Sequence, residues 1–209
     1  MQKADQKAKL NEQMWNSRAE SYDRYFSFTR WTQKKLVSML YLGGNPRLLD
    51  LACGPGWAVR YAATLADRRG EFYGVDLSSK MIDVARRNSA NYTNVHFRRS
   101  RVEDLPFDSD FFDFVISSNA FHHFSNPEKA LREARRVLKS GGRIYILDTT
   151  TDNFFMRLID RLAPKIEPAH VKMYSTHEFQ TLFGKAGLQY VASKRVILVL
   201  KTHIAKKPG

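Results

Sequence analysis

Cysteine is almost absent from this chain of 209 residues, where Cys53 stands alone. No disulfide can form within the chain, and a reducing, cytoplasmic setting is expected. Long apolar runs are missing too. Stretches such as 196–200 fall far short of the ~20 residues that a bilayer-spanning helix needs, so no membrane span is expected. Residues 1–10 are polar, carry three lysines and lack the apolar stretch of a signal peptide. There are no repeats and no low-complexity linker, and the length suits one domain with a small appendage. Acids are scarce beside bases, 21 against 34, for a formal charge of +13. That excess invites an anionic partner, whether nucleic acid, a membrane face or an acidic ligand, without choosing among them.

What is present begins with aromatics. Trp15, Tyr22, Tyr25, Phe26, Phe28 and Trp31 are interleaved with charge, which reads as a helical flap with apolar anchors. Leu36, Val37, Met39, Leu40 and Tyr41 predict a helix over 32–42, stopped by Gly43-Gly-Asn-Pro46. Short apolar runs then alternate with amphipathic ones. Strands are predicted over 47–52, 71–76, 94–101, 112–117 and 143–148, with helices over 56–67, 78–90 and 127–139. Ser78 or Ser79 would cap the second of these helices; Pro127 suits the start of the third and Gly141-Gly142 its end. Helices over 154–162 and 176–186 precede two strands, 188–192 and 196–203, close enough to pair as an antiparallel hairpin. Such alternation implies right-handed crossovers and a parallel sheet covered on both faces, an α/β fold.

The strongest local signal is Leu48-Leu-Asp-Leu-Ala-Cys-Gly-Pro-Gly56, between the first strand and its helix. Gly54 and Gly56 let a ligand approach the backbone, and the helix start offers free N–H groups. Twenty residues on, at the end of the second strand, Asp76 stands where an acid can accept both hydroxyls of a ribose. A dinucleotide turn would want glycine at position 59, where the chain has Val59. Asp50 before the turn suits a cationic group better than a diphosphate. An adenosyl ligand bearing an amino group and a sulfonium fits all of these features.

Four segments in order resemble a family: the turn above; Gly74-Val-Asp-Leu-Ser-Ser-Lys-Met81; Glu103-Asp-Leu-Pro-Phe107 followed by Phe112-Asp-Phe-Val115; and Leu131-Arg-Glu-Ala-Arg-Arg-Val-Leu-Lys-Ser-Gly-Gly-Arg143. The chain is similar to class I S-adenosylmethionine-dependent methyltransferases of the ubiquinone/menaquinone C-methyltransferase group. The resemblance implies a Rossmann-like, seven-stranded, mostly parallel sheet with helices on both faces, the last strand antiparallel. It also implies an amino-terminal helical lid, residues 1–42, on a cofactor-binding domain, residues 43–209. Asp50 would then neighbour the methionine amino group, and Ala52, Gly54 and Gly56 would pass close to the cofactor by backbone. Asp76 would hold the ribose, Leu77 would pack on the adenine with Met81 nearby, and Val102 and Glu103 would border it. Asn119 would sit near the methionine moiety, and Tyr22, in Ala19-Glu-Ser-Tyr-Asp23, would belong to the lid. The family often has an acid where this chain has Arg101, which cannot accept a hydrogen bond. Glu103, Asp104 or backbone alone would then take the adenine amino group. Ala52 replaces a more usual glycine, a small change expected to cost little.

For the acceptor the residues say less. Cys53 lies in the cofactor turn, so a cysteine nucleophile for pyrimidine C5 methylation is lacking. Residues 117–124, Ser-Ser-Asn-Ala-Phe-His-His-Phe, lack the Asn/Asp-Pro-Pro-aromatic signature of exocyclic-amine nucleic-acid methylation. His122 and His123 follow the fourth strand at the ligand-binding edge and are the candidate bases. Trp15, Tyr25, His170 and Tyr174 are candidates for the acceptor pocket. No metal site is expected: adjacent histidines diverge, no acid or cysteine cluster is close in sequence, and acids do not follow both strands four and five as a catechol-type Mg²⁺ site wants. The leading expectation is methyl transfer to a small molecule, which the charge would allow to be anionic. A tRNA wobble-uridine methyltransferase shares a His-His-Phe-Ser segment like residues 122–125, and a cofactor-binding regulatory protein without turnover is the reading outside enzymes.

Overall fold

The structure, a computed structural model, describes residues 2–22, 27–167 and 169–209. Among the described residues, two helices come first, α1 (Gln2–Arg18) and α2 (Ser27–Val37). Then follow β1 (Arg47–Leu51), α3 (Trp57–Leu65), β2 (Glu71–Asp76), α4 (Ser79–Asn88), β3 (Val95–Arg99) and β4 (Phe112–Ser118). A 3₁₀ turn (Phe121–His123) leads to α5 (Pro127–Val137), β5 (Leu138–Thr149), α6 (Phe154–Ile166), α7 (Thr176–Lys185), β6 (Gln189–Ile197) and β7 (Leu200–Lys206).

The strands form one seven-stranded sheet in the order β3-β2-β1-β4-β5-β7-β6. β7 runs antiparallel to both neighbours, and the remaining pairs are parallel. The chain steps from β1 outward to β3, then returns to place β4 on the other side of β1. The order reverses there, and the crevice beyond the carboxyl ends of β1 and β4 is where open α/β sheets bind ligands.

Two apolar layers hold the sheet. On one face Leu49, Val115, Ile144 and Ile146 pack with Leu131, Ala134 and Val137 of α5 and with Phe179 and Phe183 of α7. On the other, Leu48, Phe72 and Ile116 pack with Leu36 and Val37 of α2, Val59 and Ala62 of α3, and Ile82 and Ala85 of α4. Caps define where the helices begin. Ser78 Oγ accepts from Met81 N at α4, Asn126 Oδ1 from Lys129 N at α5, and Ser175 forms a capping box with Glu178 at α7.

Several boundaries differ from expectation, among them α6, which spans Phe154–Ile166 where a helix over 154–162 is expected, and three show their physical cause. α2 ends at Val37 because the next turn tightens, Met39 N donating to Leu36 O and Leu40 N to Val37 O, which leaves Tyr41 exposed. α5 ends at Val137, two residues early: residues 139–142 form an irregularity in β5, with Gly141 at φ +75° donating to Lys207 O. The run 196–200, expected inside a strand, carries the β6–β7 turn instead. Ile197 pairs with Leu200, so Leu198 is thrown outward.

α1 lies across α4. Trp15, Ala19 and Tyr22 pack on Met81 and Val84. Ser78 Oγ donates to Asn16 Oδ1 at 2.6 Å, and Glu12 and Glu20 pair with Arg99 and Arg87. These contacts roof the crevice.

Candidate functional site

The turn after β1 is built on left-handed backbone: Ala52, Gly54 and Gly56 have φ of 56°, 52° and 76°. The two glycines serve different ends. A Cβ on Gly54 would meet nothing within 4 Å, so its face opens onto the cleft. A Cβ on Gly56 would lie 2.4 Å from Phe97 and 3.2 Å from Ala85, so Gly56 is needed for packing and lies outside the cleft lining. Ala52 adopts the conformation glycine prefers, at a cost of ~1–2 kcal/mol. Its replacement of glycine is therefore a strained one.

Asp76 closes the turn. Gly54 N donates to its Oδ2 and Ser78 N to its Oδ1, each at 2.9 Å. Burial raises its pKa to about 6, although these backbone donors and Leu77 N pull it down. Asp50 is buried behind the turn with Oδ1 unpartnered, and burial followed by the charge of Asp76 raises its pKa well above the carboxylate range. Two buried carboxylates with one orphaned oxygen make an environment that favours cations. Cys53 lines the cleft, but burial first, then Asp76 and Asp50, keep it a thiol.

The cleft encloses about 840 Å³ including the open space at its mouth. Of the residues named from sequence, Trp15, Tyr22, Ala52, Gly54, Asp76, Leu77, Met81, Val102, Glu103, Asn119 and His123 line it. Asn119 has φ +54°, and its Nδ2 donates to Thr32 and Ser118 hydroxyls. Glu103 is buried, accepting from Asn126 N, with Arg101 Nε at 3.6 Å from its other oxygen; Asp104 is exposed. The acid available inside is thus Glu103, and Arg101 pairs with it.

Asp50, Gly56, His122, His170 and Tyr174 are not in the lining. Tyr25 lies outside the described residues. Tyr174 belongs to the core beside Phe121 and Phe179, and burial lifts its pKa to about 12. The histidine pair divides. His123 faces the cleft edge-on to Trp15, and burial, then His122, hold its pKa down at about 3. His122 turns away and binds Asp148 Oδ1 through Nδ1 at 2.7 Å. Burial would lower its pKa, but Asp148, with Glu167 and Asp160 beyond, outweighs that and raises it.

Sequence reasoning missed the α1 wall of Ala8, Asn11 and Glu12. With Trp15 these follow i, i+3, i+4, i+7 spacing on one helix face. Their mixed polarity hid the face from a search for apolar periodicity. Asn11 Nδ2 donates to His123 O at 2.9 Å, while its Oδ1 is buried and unpartnered. Gln33 Oε1, also on the lining, is another buried orphan.

These features fit S-adenosylmethionine. The open Gly54 face admits a ligand to the backbone, Asp76 can accept from ribose hydroxyls, and the buried acids suit its cationic groups. Residues 49–146 match the model of a methyltransferase domain. The chain is 34% identical over 148 residues to the uncharacterised methyltransferase YcgJ of Bacillus subtilis, covering 69% of this chain and 57% of that protein. It is 37% identical over 133 residues to the demethylmenaquinone methyltransferase of Clavibacter sepedonicus, covering 63% and 53%. The chain thus spans little more than half the length of these relatives. Among solved structures, a chain in the complex of the Haloferax volcanii Trm112 methyltransferase activator with a methyltransferase superposes with a TM-score of 0.83 at 20% identity, covering 93% of this chain and 98% of that one. A SAM-dependent methyltransferase from Aquifex aeolicus gives 0.74 at 22% identity, covering 91% and 97%. At such identities the structural likeness speaks to fold alone. Strand order, the turn into Asp76 and these matches together place the chain in the class I S-adenosylmethionine-dependent methyltransferase family, with sequence similarity to the ubiquinone/menaquinone C-methyltransferases.

Proposed function

We propose that this protein transfers the methyl group of S-adenosylmethionine to a small-molecule acceptor by in-line displacement. The observation that carries the proposal is the Gly54–Asp76 cradle, a backbone-held carboxylate beside an open glycine face at the point where the strand order reverses. When bound, the ligand supplies an electrophilic methyl on a sulfonium that is already a good leaving group. The chain's own task is alignment and exclusion of water. Asp76 takes the ribose hydroxyls, Glu103 borders the adenine, and Asp50 and Asp76 favour the cationic end. Trp15 of α1 and Tyr22 just beyond it, six ångströms apart at their centroids, wall the cleft and act as the lid. Alignment alone can contribute up to ~7–11 kcal/mol in favourable cases.

The names of the relatives support a quinone-like acceptor. So does an aromatic wall of Trp15, Tyr22 and Phe124, which suits a flat ring. The basic residues do not gather into a tract: Arg87, Arg99, Arg132, Arg136 and Lys139 are each paired with an acid. That disfavours an RNA acceptor. The test is calorimetry with S-adenosylmethionine, followed by transfer of a radiolabelled methyl group to a panel of quinols, phenols and carboxylates, with tRNA alongside. Tight cofactor binding with label entering a small molecule is the expected result. Label entering only tRNA would overturn the acceptor class, and no cofactor binding would overturn the whole reading.

A further inference from the structure

Outside the cleft, three side chains from distant segments converge. His122 comes from the 3₁₀ turn after β4, and Glu167 and His170 from the loop after α6. One ligand-capable atom from each lies within 4.8 Å of the other two. Each imidazole is already oriented by a carboxylate: His122 Nδ1 lies 2.7 Å from Asp148 Oδ1, and His170 Nε2 lies 2.8 Å from Asp160 Oδ1. Those bonds leave Nε2 of His122 and Nδ1 of His170 as the nitrogens available to a ligand. The orienting acids are themselves held, Asp148 by His122 N and Thr149 N, and Asp160 by Met173 N. Backbone ties the two segments together, since Val171 N and Lys172 N both donate to His122 O.

We propose that His122, Glu167 and His170 form a binding site for one divalent transition-metal ion of the zinc class. Two imidazoles and a carboxylate suit such an ion, and three protein ligands leave a coordination position open. Carboxylates on the far nitrogens are what fixes tautomer and ring orientation in metal-bound histidines. Metal–ligand lengths of about 2.0–2.2 Å would draw the three atoms closer than they stand now, through small side-chain rotations. One cation competes for Glu167, Arg18 at 3.4 Å, while the neutral His123 has its Nε2 at 4.0 Å from the same oxygen. Both contacts are long enough to yield. His123 lines the cleft and lies against His122, so the cluster stands one side chain from the cleft. Use of the open coordination position to polarise an acceptor oxygen rests on the proposed transfer reaction; the metal binding itself does not.

The experiment is titration of chelator-treated full-length protein with Co²⁺, read by its visible ligand-field absorption, with Zn²⁺ as competitor. One Co²⁺ per chain, displaced by Zn²⁺, is expected. Glu167→Gln and His170→Ala should abolish the spectrum, and Asp160→Asn should weaken binding by about 10–100-fold. Melting and S-adenosylhomocysteine binding, followed on the same variants, show that each is folded and keep this test apart from that of the cofactor reading. Absence of a stoichiometric spectrum in the wild type would overturn the proposal and leave the cluster a hydrogen-bonded loop staple. So would equal Co²⁺ binding in Glu167→Gln and His170→Ala.

Discussion

Acidification from pH 7.5 to pH 5 should weaken binding of S-adenosylmethionine by about tenfold, and Asp76→Asn should remove most of that slope. Asp76 is buried at the end of β2, and burial lifts its pKa to about 6 in the ligand-free protein. Its ionised form is the one that a sulfonium-bearing ligand favours and that accepts best from ribose hydroxyls. At pH 7.5 nearly all of it is ionised, and at pH 5 roughly a tenth is, which costs about 1.4 kcal/mol of binding. The sign also reaches stability. The folded ligand-free chain holds more protons than the unfolded chain between about 3.8 and 6, so this group stabilises the fold on the acid side and loses that contribution as pH rises through 6. The ligand should therefore raise the melting temperature more at pH 7.5 than at pH 5. Calorimetry at three pH values on wild type and Asp76→Asn measures the binding slope. At neutral pH the variant should lose about 1.5–3 kcal/mol, the worth of a hydrogen bond to a charged group. Affinity that stays flat with pH in the wild type, or a slope that survives in Asp76→Asn, would refute the argument.

The two turn glycines should separate stability from binding. Gly56→Ala, driving a Cβ into Phe97, should cost roughly 2–4 kcal/mol in urea denaturation, whereas Gly54→Ala should cost only about 1–2 kcal/mol yet weaken cofactor binding. Equal stability loss in the two would contradict the division. Glu103→Gln should reduce affinity for S-adenosylmethionine and for adenosine alike, and a selective loss for one of them would show that Glu103 does not border the adenine. His203 is fully buried, stacked on Phe179 at 3.9 Å, with both ring nitrogens unpartnered. Burial lowers its pKa to about 4, so the unfolded chain protonates first and stability drains by up to about 3 kcal/mol as pH falls from 6.5 to 4. His203→Phe should flatten that decline, and an unchanged acid limb would exclude His203 as its source.

The fold was legible where local chemistry decided it. Ser78, Asn126 and Ser175 cap helices through their own side chains, and short buried runs such as residues 48–51, bounded by turn residues, read as strands of a covered sheet. It was less legible where pairing decided it. Nothing within the run 196–200 marks a turn, because its register is set by β5, against which Leu200 pairs with Thr149. Residues 139–142 are likewise displaced by their strand partners and not by their own propensities: Leu138 pairs with Phe112 and Arg143 with Phe114, so the intervening residues bulge.

The site follows the same rule one level up. Ala52, Gly54, Asp76, Leu77 and Met81 lie on the first two strand–helix turns, and the spacing along the chain is enough to bring them to one sheet edge. The opposite wall comes from α1, which reaches the cleft only because Asn16, Glu12 and Glu20 tie it to α4 and β3. The histidines show this most clearly. In sequence His122 and His123 are equivalent, adjacent and without a neighbouring acid. Folding gives one of them a cleft wall and a low pKa and the other a buried aspartate. The acids that separate them, Asp148, Asp160 and Glu167, lie 25 to 44 residues downstream on β5, on α6 and just past its end. A base, a ligand or a packing residue is therefore defined here by which strand ends meet. That is why the cleft wall carried by consecutive turns can be read from the chain, while the setting of the two histidines emerges only from the folded loops.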